Sequence, residues 1–248
     1  MAFTTEVEYY NNGSPRYQSW FYNGKKSRLD GPAYMEYYSN GEPRYEVWYY
    51  HGVMHRCNGP ARIEYYPDGT KLFEMWMDMG VKHRYEHEAY IRYGENGSHL
   101  CLEWWEHGVK HRGYDLPAKI EFHVNGRVSM FEWNHYGKYH RDGDRCSIER
   151  YSQTGELVFR NWYVDGVKHR RTGPAFERYV NGVVSISEWW LNGQRLNLIE
   201  TIEHKNSMVN EQLVELYIGI SRDDIPSIKS SNMYEKNIFR IVKSFLKN

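Results

Sequence analysis

Five histidine–arginine pairs recur along this 248-residue chain: His55-Arg56, His83-Arg84, His111-Arg112, His140-Arg141 and His169-Arg170. Ser27-Arg28 takes the same place ahead of them, and Leu196-Asn197 behind. Such a row of imidazole and guanidinium groups could hold a row of anions, the phosphates or carboxylates of a repetitive partner. The competing expectation is structural: each His packs against a turn, and each Arg pairs with a Glu of the next unit. The balance of charge favours the structural use, because every unit carries acid as well as base. With two strands between neighbouring pairs, the pairs stand about 10 Å apart. That is too far for one metal ion to collect ligands from two of them.

Other chemistries leave weaker traces. Cys57, Cys101 and Cys146 are widely separated, with no C-x-x-C. Neither a zinc ribbon nor a disulfide framework is expected, and a reducing compartment follows. No H-E-x-x-H, Walker A, G-x-S-x-G or G-x-G-x-x-G element occurs. Glu36, Glu64 and Glu121 recur with the repeat, which suits ladder partners for arginine better than catalytic acids. Catalysis needs one unique constellation, so neither catalytic residues nor a cofactor is expected. Asn12-Gly13-Ser14 and Asn96-Gly97-Ser98 match the glycosylation acceptor, but read as turns.

The His-Arg pairs belong to a longer repeat. Trp20, Trp48, Trp76, Trp104, Trp133, Trp162 and Trp189 follow one another at spacings of 28, 28, 28, 29, 29 and 27. Four residues after each Trp comes a glycine: Gly24, Gly52, Gly80, Gly108, Gly137, Gly166 and Gly193. Seven before each Trp lies another: Gly13, Gly41, Gly69, Gly97, Gly126, Gly155 and Gly182, preceded in most units by Asn or Asp. Asn-Gly between hydrophobic runs predicts a hairpin with a type I′ turn, which needs positive φ at both central residues. Gly-Pro-Ala follows the His-Arg pair at 31–33, 59–61 and 173–175, with Pro117-Ala118 and Ala89 as reduced forms. One unit then reads as strand, Asn-Gly turn, strand carrying Trp, Gly turn, His-Arg loop. Seven units predict roughly 14 short antiparallel strands in meander order, each unit contacting mainly its neighbours. Repeated Trp and Tyr at fixed register read first as core rather than a stacking platform.

The Trp-x-x-x-Gly-x-x-His-Arg segment resembles the MORN repeat, with Arg in place of the glycine after His. The Asn-Gly hairpins and Gly-Pro-Ala resemble longer MORN-like repeats of bacterial and large-DNA-virus proteins. The resemblance covers about residues 6 to 196. It implies a repeat sheet, a scaffold within a larger, viral assembly, or alternatively a peripheral membrane or phosphoinositide-binding module.

Two features modulate the repeat. Glu46 and Glu74 stand two before their Trp, whereas Glu103, Glu132 and Glu188 stand one before. A one-residue shift exchanges sheet faces, so either a bulge absorbs it or both faces are partly covered. After Leu196 the repeat stops. Asn210 to Ile220 has helical composition, a break follows at 221–226, and Ser231 to Leu246 reads as a second helix. These helices are expected to cap the sheet end.

Composition sets the remaining bounds. Lys+Arg and Asp+Glu are both 32, the formal net charge is zero, and the basic excess of a nucleic-acid binder is missing. Mean hydropathy is −0.82, with no apolar run of bilayer length and no signal-like start. Nine Trp and 23 Tyr beside only 40% hydrophobic residues suit a thin sheet whose core is built of rings. The expectation is an all-β, single-layer antiparallel meander over 1–196 with a helical cap over 197–248. Its function is a non-enzymatic scaffold in the cytoplasm, or in a host cell or virion, without cofactor. It binds protein partners, with anionic lipid as the alternative and self-association through the N-terminal sheet edge as a further mode.

Overall fold

The computed structural model of the protein describes residues 2–223, and the side chains of 213–223 lie outside that description. Two compact units divide the chain, Met1–Gln194 and Arg195–Asn248. In the first, fourteen strands follow one another in chain order across one antiparallel sheet, from Phe3–Tyr9 and Pro15–Tyr22 to Phe176–Val180 and Val183–Glu188. The predicted meander is therefore present. The sequence did not disclose a second element per unit: a two-residue ribbon just after the Trp, such as Met77–Asp78 paired with Val81–Lys82. In all units but the first, the Trp falls between the long strand and this ribbon rather than inside a strand.

The two glycine columns make different turns, and the assignment from sequence is reversed. At Asn40-Gly41 only the glycine has positive φ, at 91°. Gly41 N–H donates to the Tyr38 carbonyl and Tyr38 N–H to the Glu42 carbonyl, a three-residue loop closed by a left-handed glycine. Asn40 uses its Oδ1 to accept the Glu42 N–H at 3.1 Å, an Asx turn that keeps its own backbone out of the left-handed region. Only Asn181-Gly182 adopts the expected I′ form, at 51° and 75°. The I′ turns sit instead at the Trp-linked column, as at Met79 (43°) and Gly80 (89°). A two-residue ribbon leaves room for nothing longer. Gly80 is also needed for closeness: its N–H donates to the Met54 carbonyl of the previous unit, and an added Cβ would stand 3.1 Å from Val53 Cγ1.

Every long hairpin carries a bulge at the same place, for example Leu72, skipped between Tyr65↔Lys71 and Glu64↔Phe73. The register is constant from unit to unit, so the bulge does not account for the shifted acids. One cross-sheet row runs Tyr34↔Val47↔Arg62↔Met75↔Tyr90↔Glu103↔Lys119↔Glu132. The other face carries Met35↔Glu46↔Ile63↔Glu74↔Ile91↔Leu102↔Ile120↔Phe131. Both faces are partly covered, and the acids change face along the chain because their partners do. On the second face Tyr65 donates to Glu46 at 3.0 Å and Tyr93 to Glu74 at 2.7 Å. Where Phe122 replaces the tyrosine, Leu102 replaces the acid. Tyr151 and Tyr179 find their acid on their own strand, Glu149 and Glu177. On the first face the later acids meet lysines: Lys110 Nζ lies 3.4 Å from Glu103 and 3.1 Å from Glu132.

The second unit opens on the helix Leu198–Asp223. It begins twelve residues before the predicted Asn210 and runs past the predicted break at Ser221. Its start is fixed by a reciprocal cap: Asn197 Oδ1 accepts the Glu200 N–H at 3.0 Å, and Glu200 Oε2 accepts the Asn197 N–H at 2.7 Å. The predicted helix over 231–246 lies outside the described residues. Among the described residues no helix is long and apolar enough to cross a membrane.

Candidate functional site

Each arginine of the His-Arg column lies over the tryptophan ring of its own unit. The guanidinium carbon is 3.8 Å from the Trp48 ring centroid for Arg56, and 4.0 Å from Trp76 for Arg84. It is 3.7 Å from Trp104 for Arg112, 3.8 Å from Trp133 for Arg141 and 4.1 Å from Trp162 for Arg170. Arg28 over Trp20 repeats the stack at 4.3 Å. The same guanidinium closes the loop by donating to the carbonyl just before the Ala position: Pro60, Glu88, Pro117, Cys146 and Pro174 at 3.1 to 3.4 Å. That Ala is fully buried at 33, 61, 89, 118 and 175, and Ser147 fills its place at the same depth. A small residue is required because the loop folds tightly onto the strand end beneath it.

The expected pairing of Arg with a Glu of the next unit is corrected. Among the described residues only Arg170 approaches such a Glu, Glu177, at 3.9 Å. Among the described residues no carboxylate lies within salt-bridge distance of Arg56, Arg84 or Arg112. Arg141 and Arg170 instead reach back to the preceding loop, to Asp115 at 2.9 Å and Asp144 at 3.1 Å. The physical reason is geometric: stacking on Trp turns the guanidinium toward the loop, away from the strand carboxylates. The hydrogen bond from Arg141 holds the Asp115 carboxyl below its usual range. Both aspartates are left-handed, at φ 56°, and their carbonyls accept the indole N–H of the following unit's Trp133 and Trp162. The recurrent strand acids use other cations: Glu36 meets Arg44, Glu64 meets Arg62 and Glu121 meets Lys119.

The histidines bind forward. His55 Nδ1 lies 3.3 Å from the backbone N of Met79, and His83 Nδ1 3.3 Å from that of His107. His111, His140 and His169 repeat the contact to Tyr136, Asp165 and Asn192 at 3.4, 3.1 and 3.0 Å. The donor in each case is the left-handed residue of the next unit's I′ turn. In the first unit the hydroxyl of Ser27 serves the same purpose toward His51 N–H. An Nδ1 that accepts is unprotonated, so the proton resides on Nε2. Two members have a second choice: Asp78 and Asp165 stand 3.2 and 3.3 Å from Nδ1 of His55 and His140, positions that favour an Nδ1–H donated to carboxylate.

The column is therefore mostly consumed in holding units together. The sequence reading missed the exposed row at the tips of the I′ turns: Tyr50, His51, Met79, His107, His135 and Tyr136. Its rings meet the column, with His83 and His107 stacked at 4.3 Å and His111 and Tyr136 at 4.5 Å. The signal was the one or two residues before each Trp-linked glycine, which vary in type and so form no visible column. Of the tryptophans, Trp104, Trp133 and Trp162 are buried, whereas Trp20, Trp48, Trp76 and Trp189 are half-buried. All three cysteines are free, Cys57 exposed and the others buried. Burial pushes the Cys101 thiol up to about 11 and the Cys146 thiol up to about 12. Among the described residues no group of three His, Cys, Asp or Glu could hold a metal ion. No family model matches the chain, and no curated protein matches it in sequence.

Proposed function

We propose that the protein is a non-enzymatic scaffold that binds a protein partner along the row of I′ turn tips. The observation that carries the reading is the exposure of Tyr50, Met79 and Tyr136 on or beside those turns, and of Tyr85 and Tyr114 in the neighbouring His-Arg loops, next to the half-buried arginines of the column. Tyrosine, methionine and arginine are residue types that protein interfaces concentrate, and here the arginines recur with the repeat while the tyrosines and methionine stand among them. The resemblance to MORN-like repeats supports the same reading, with a place in a larger assembly, a virion included. Three free thiols fit a reducing compartment such as the cytoplasm. The sheet also presents the seven exposed residues of Phe3–Tyr9 at its edge, a template for self-association.

Affinity capture from the native source with mass spectrometry, run beside flotation with anionic liposomes, tests this reading. A protein partner lost when Tyr50, Met79 and Tyr136 are changed together to Ser supports it. Flotation with the liposomes and no captured protein overturns it in favour of the membrane alternative.

A further inference from the structure

Two loops of the repeat run one residue long, those after His111-Arg112 and His140-Arg141, and together they border a cleft. The loop after His111-Arg112 is one residue longer than its counterpart two units earlier and reads Gly113-Tyr114-Asp115-Leu116. Tyr114 and Asp115 are both left-handed, at φ 60° and 56°. Asp115 has an evident use in its bonds to Arg141 and Trp133. Tyr114 has none inside the fold: its side chain is 99% exposed. A tyrosine held at positive φ with its whole ring in water is costly on both counts. Beside it opens a cleft of about 250 Å³, bordered by His111, Arg112, His135, His140 and Asp142.

The donor inventory of that cleft is one-sided. His111 accepts the Tyr136 N–H on Nδ1, which leaves Nε2–H as a donor with no acceptor in the described structure. Arg112 spends one N–H on the Pro117 carbonyl; Glu88 acts on it electrostatically, but among the described residues no carboxylate is within salt-bridge distance of it. His135 meets the rings of His111 at 5.3 Å, Tyr136 at 4.6 Å and His140 at 5.7 Å, and its charge helps to hold the Asp142 carboxyl below its usual range. The acids of the wall are already engaged, Asp115 by Arg141 and Arg145 and Asp142 by His140. What remains unsatisfied is a guanidinium edge and an imidazole N–H, both of which can only donate.

We propose that this cleft receives a carboxylate side chain from an acidic segment of a protein partner, gripped by Arg112 and His111 and covered by Tyr114. The proposal rests on the scaffold reading and names the point where the partner anchors. A paired guanidinium and N–H donor suit a carboxylate geometrically, and an aromatic ring beside a charged anchor is the usual make-up of an interface hot spot.

The test uses the full chain with two probes, acetylated triglutamate amide and its triglutamine counterpart. Ring resonances of His111, Tyr114 and His135 are followed by NMR. Triglutamate is expected to shift these resonances saturably, and triglutamine to leave them unmoved. Arg112→Gln should weaken triglutamate binding by roughly tenfold or more. Because Arg112 also closes its loop, Tyr114→Gly serves as the independent variant. Glycine accepts the left-handed backbone, so the melting temperature should stay level or rise while binding weakens. Equal shifts from both peptides overturn the proposal, as does a folded Tyr114→Gly protein that binds triglutamate like wild type. The scaffold reading fails separately: native capture that returns no protein, with triglutamate still titrating the cleft, leaves an acidic-ligand site without that partner.

Discussion

At the residue scale, the conserved-looking column of the sequence turns out to be two devices with opposite directions. Arginine turns back onto its own Trp, and histidine reaches forward to the next unit. The arginine stack should contribute in the range of ordinary cation–π contacts, about 0.5 to 2 kcal/mol. The tryptophan beneath does more, since it fills the strand end. Trp104→Ala should therefore cost about 3 to 5 kcal/mol, and Trp20→Ala, half-buried and close to the sheet edge, clearly less. Chemical denaturation of the two variants checks this; equal small losses would mean the rings are not core. The residue scale is also where the sequence misleads most. It presents a column arginine such as Arg56 and a Glu of the next unit as natural partners, because charge pairing is visible in composition while ring stacking is not. Glu74 is in fact taken by Tyr93 and by Lys71 at 2.5 Å.

At the element scale, hairpin positions were legible and hairpin types were not. A glycine at a fixed interval marks a turn, but loop length decides which turn, and that depends on pairing across the sheet. Gly41 and Gly80 show the difference. Both have left-handed φ, so alanine at either should cost about 1 to 2 kcal/mol from backbone strain alone. Around Gly41 a Cβ meets nothing within 4 Å, whereas at Gly80 it meets Val53. Gly80→Ala should be the more destabilising, with the loss partly recovered by Val53→Ala, a coupling that a double-mutant cycle measures. The helix start at Asn197 was legible as Asn-x-x-Glu before an apolar run. The same residue occupies the Arg position of the repeat, so the decay of that column masks the cap.

At the scale of the whole molecule, the tyrosine ladder ties stability to pH on the alkaline side. Burial and neighbouring carboxylates push the hydroxyls of Tyr65, Tyr93 and Tyr151 well up, and burial takes Tyr34 up to about 12. A raised folded-state value contributes stability that is fully present below the unfolded value of about 10. That contribution is lost progressively as pH rises from there through the folded-state values. Tyrosinate absorbance should accordingly lag behind that of free tyrosine and then rise together with loss of the β circular-dichroism signal. Independent titration near the free value would contradict the ladder. Removal of residues 197–248 examines the capping role expected of the tail: a truncated chain that self-associates supports it, and an equally stable monomer removes it. The repeats are clasped together by histidines that accept backbone N–H bonds from the next repeat. Long-range ¹H–¹⁵N spectra of the imidazoles at about pH 7.5 test this most directly, because the two nitrogens report their proton separately. For His83, His111 and His169, which among the described residues have no carboxylate within salt-bridge distance of Nδ1, the prediction is an unprotonated Nδ1 and a protonated Nε2. Protonated Nδ1, or the tautomer mixture of free imidazole at all three, would contradict it.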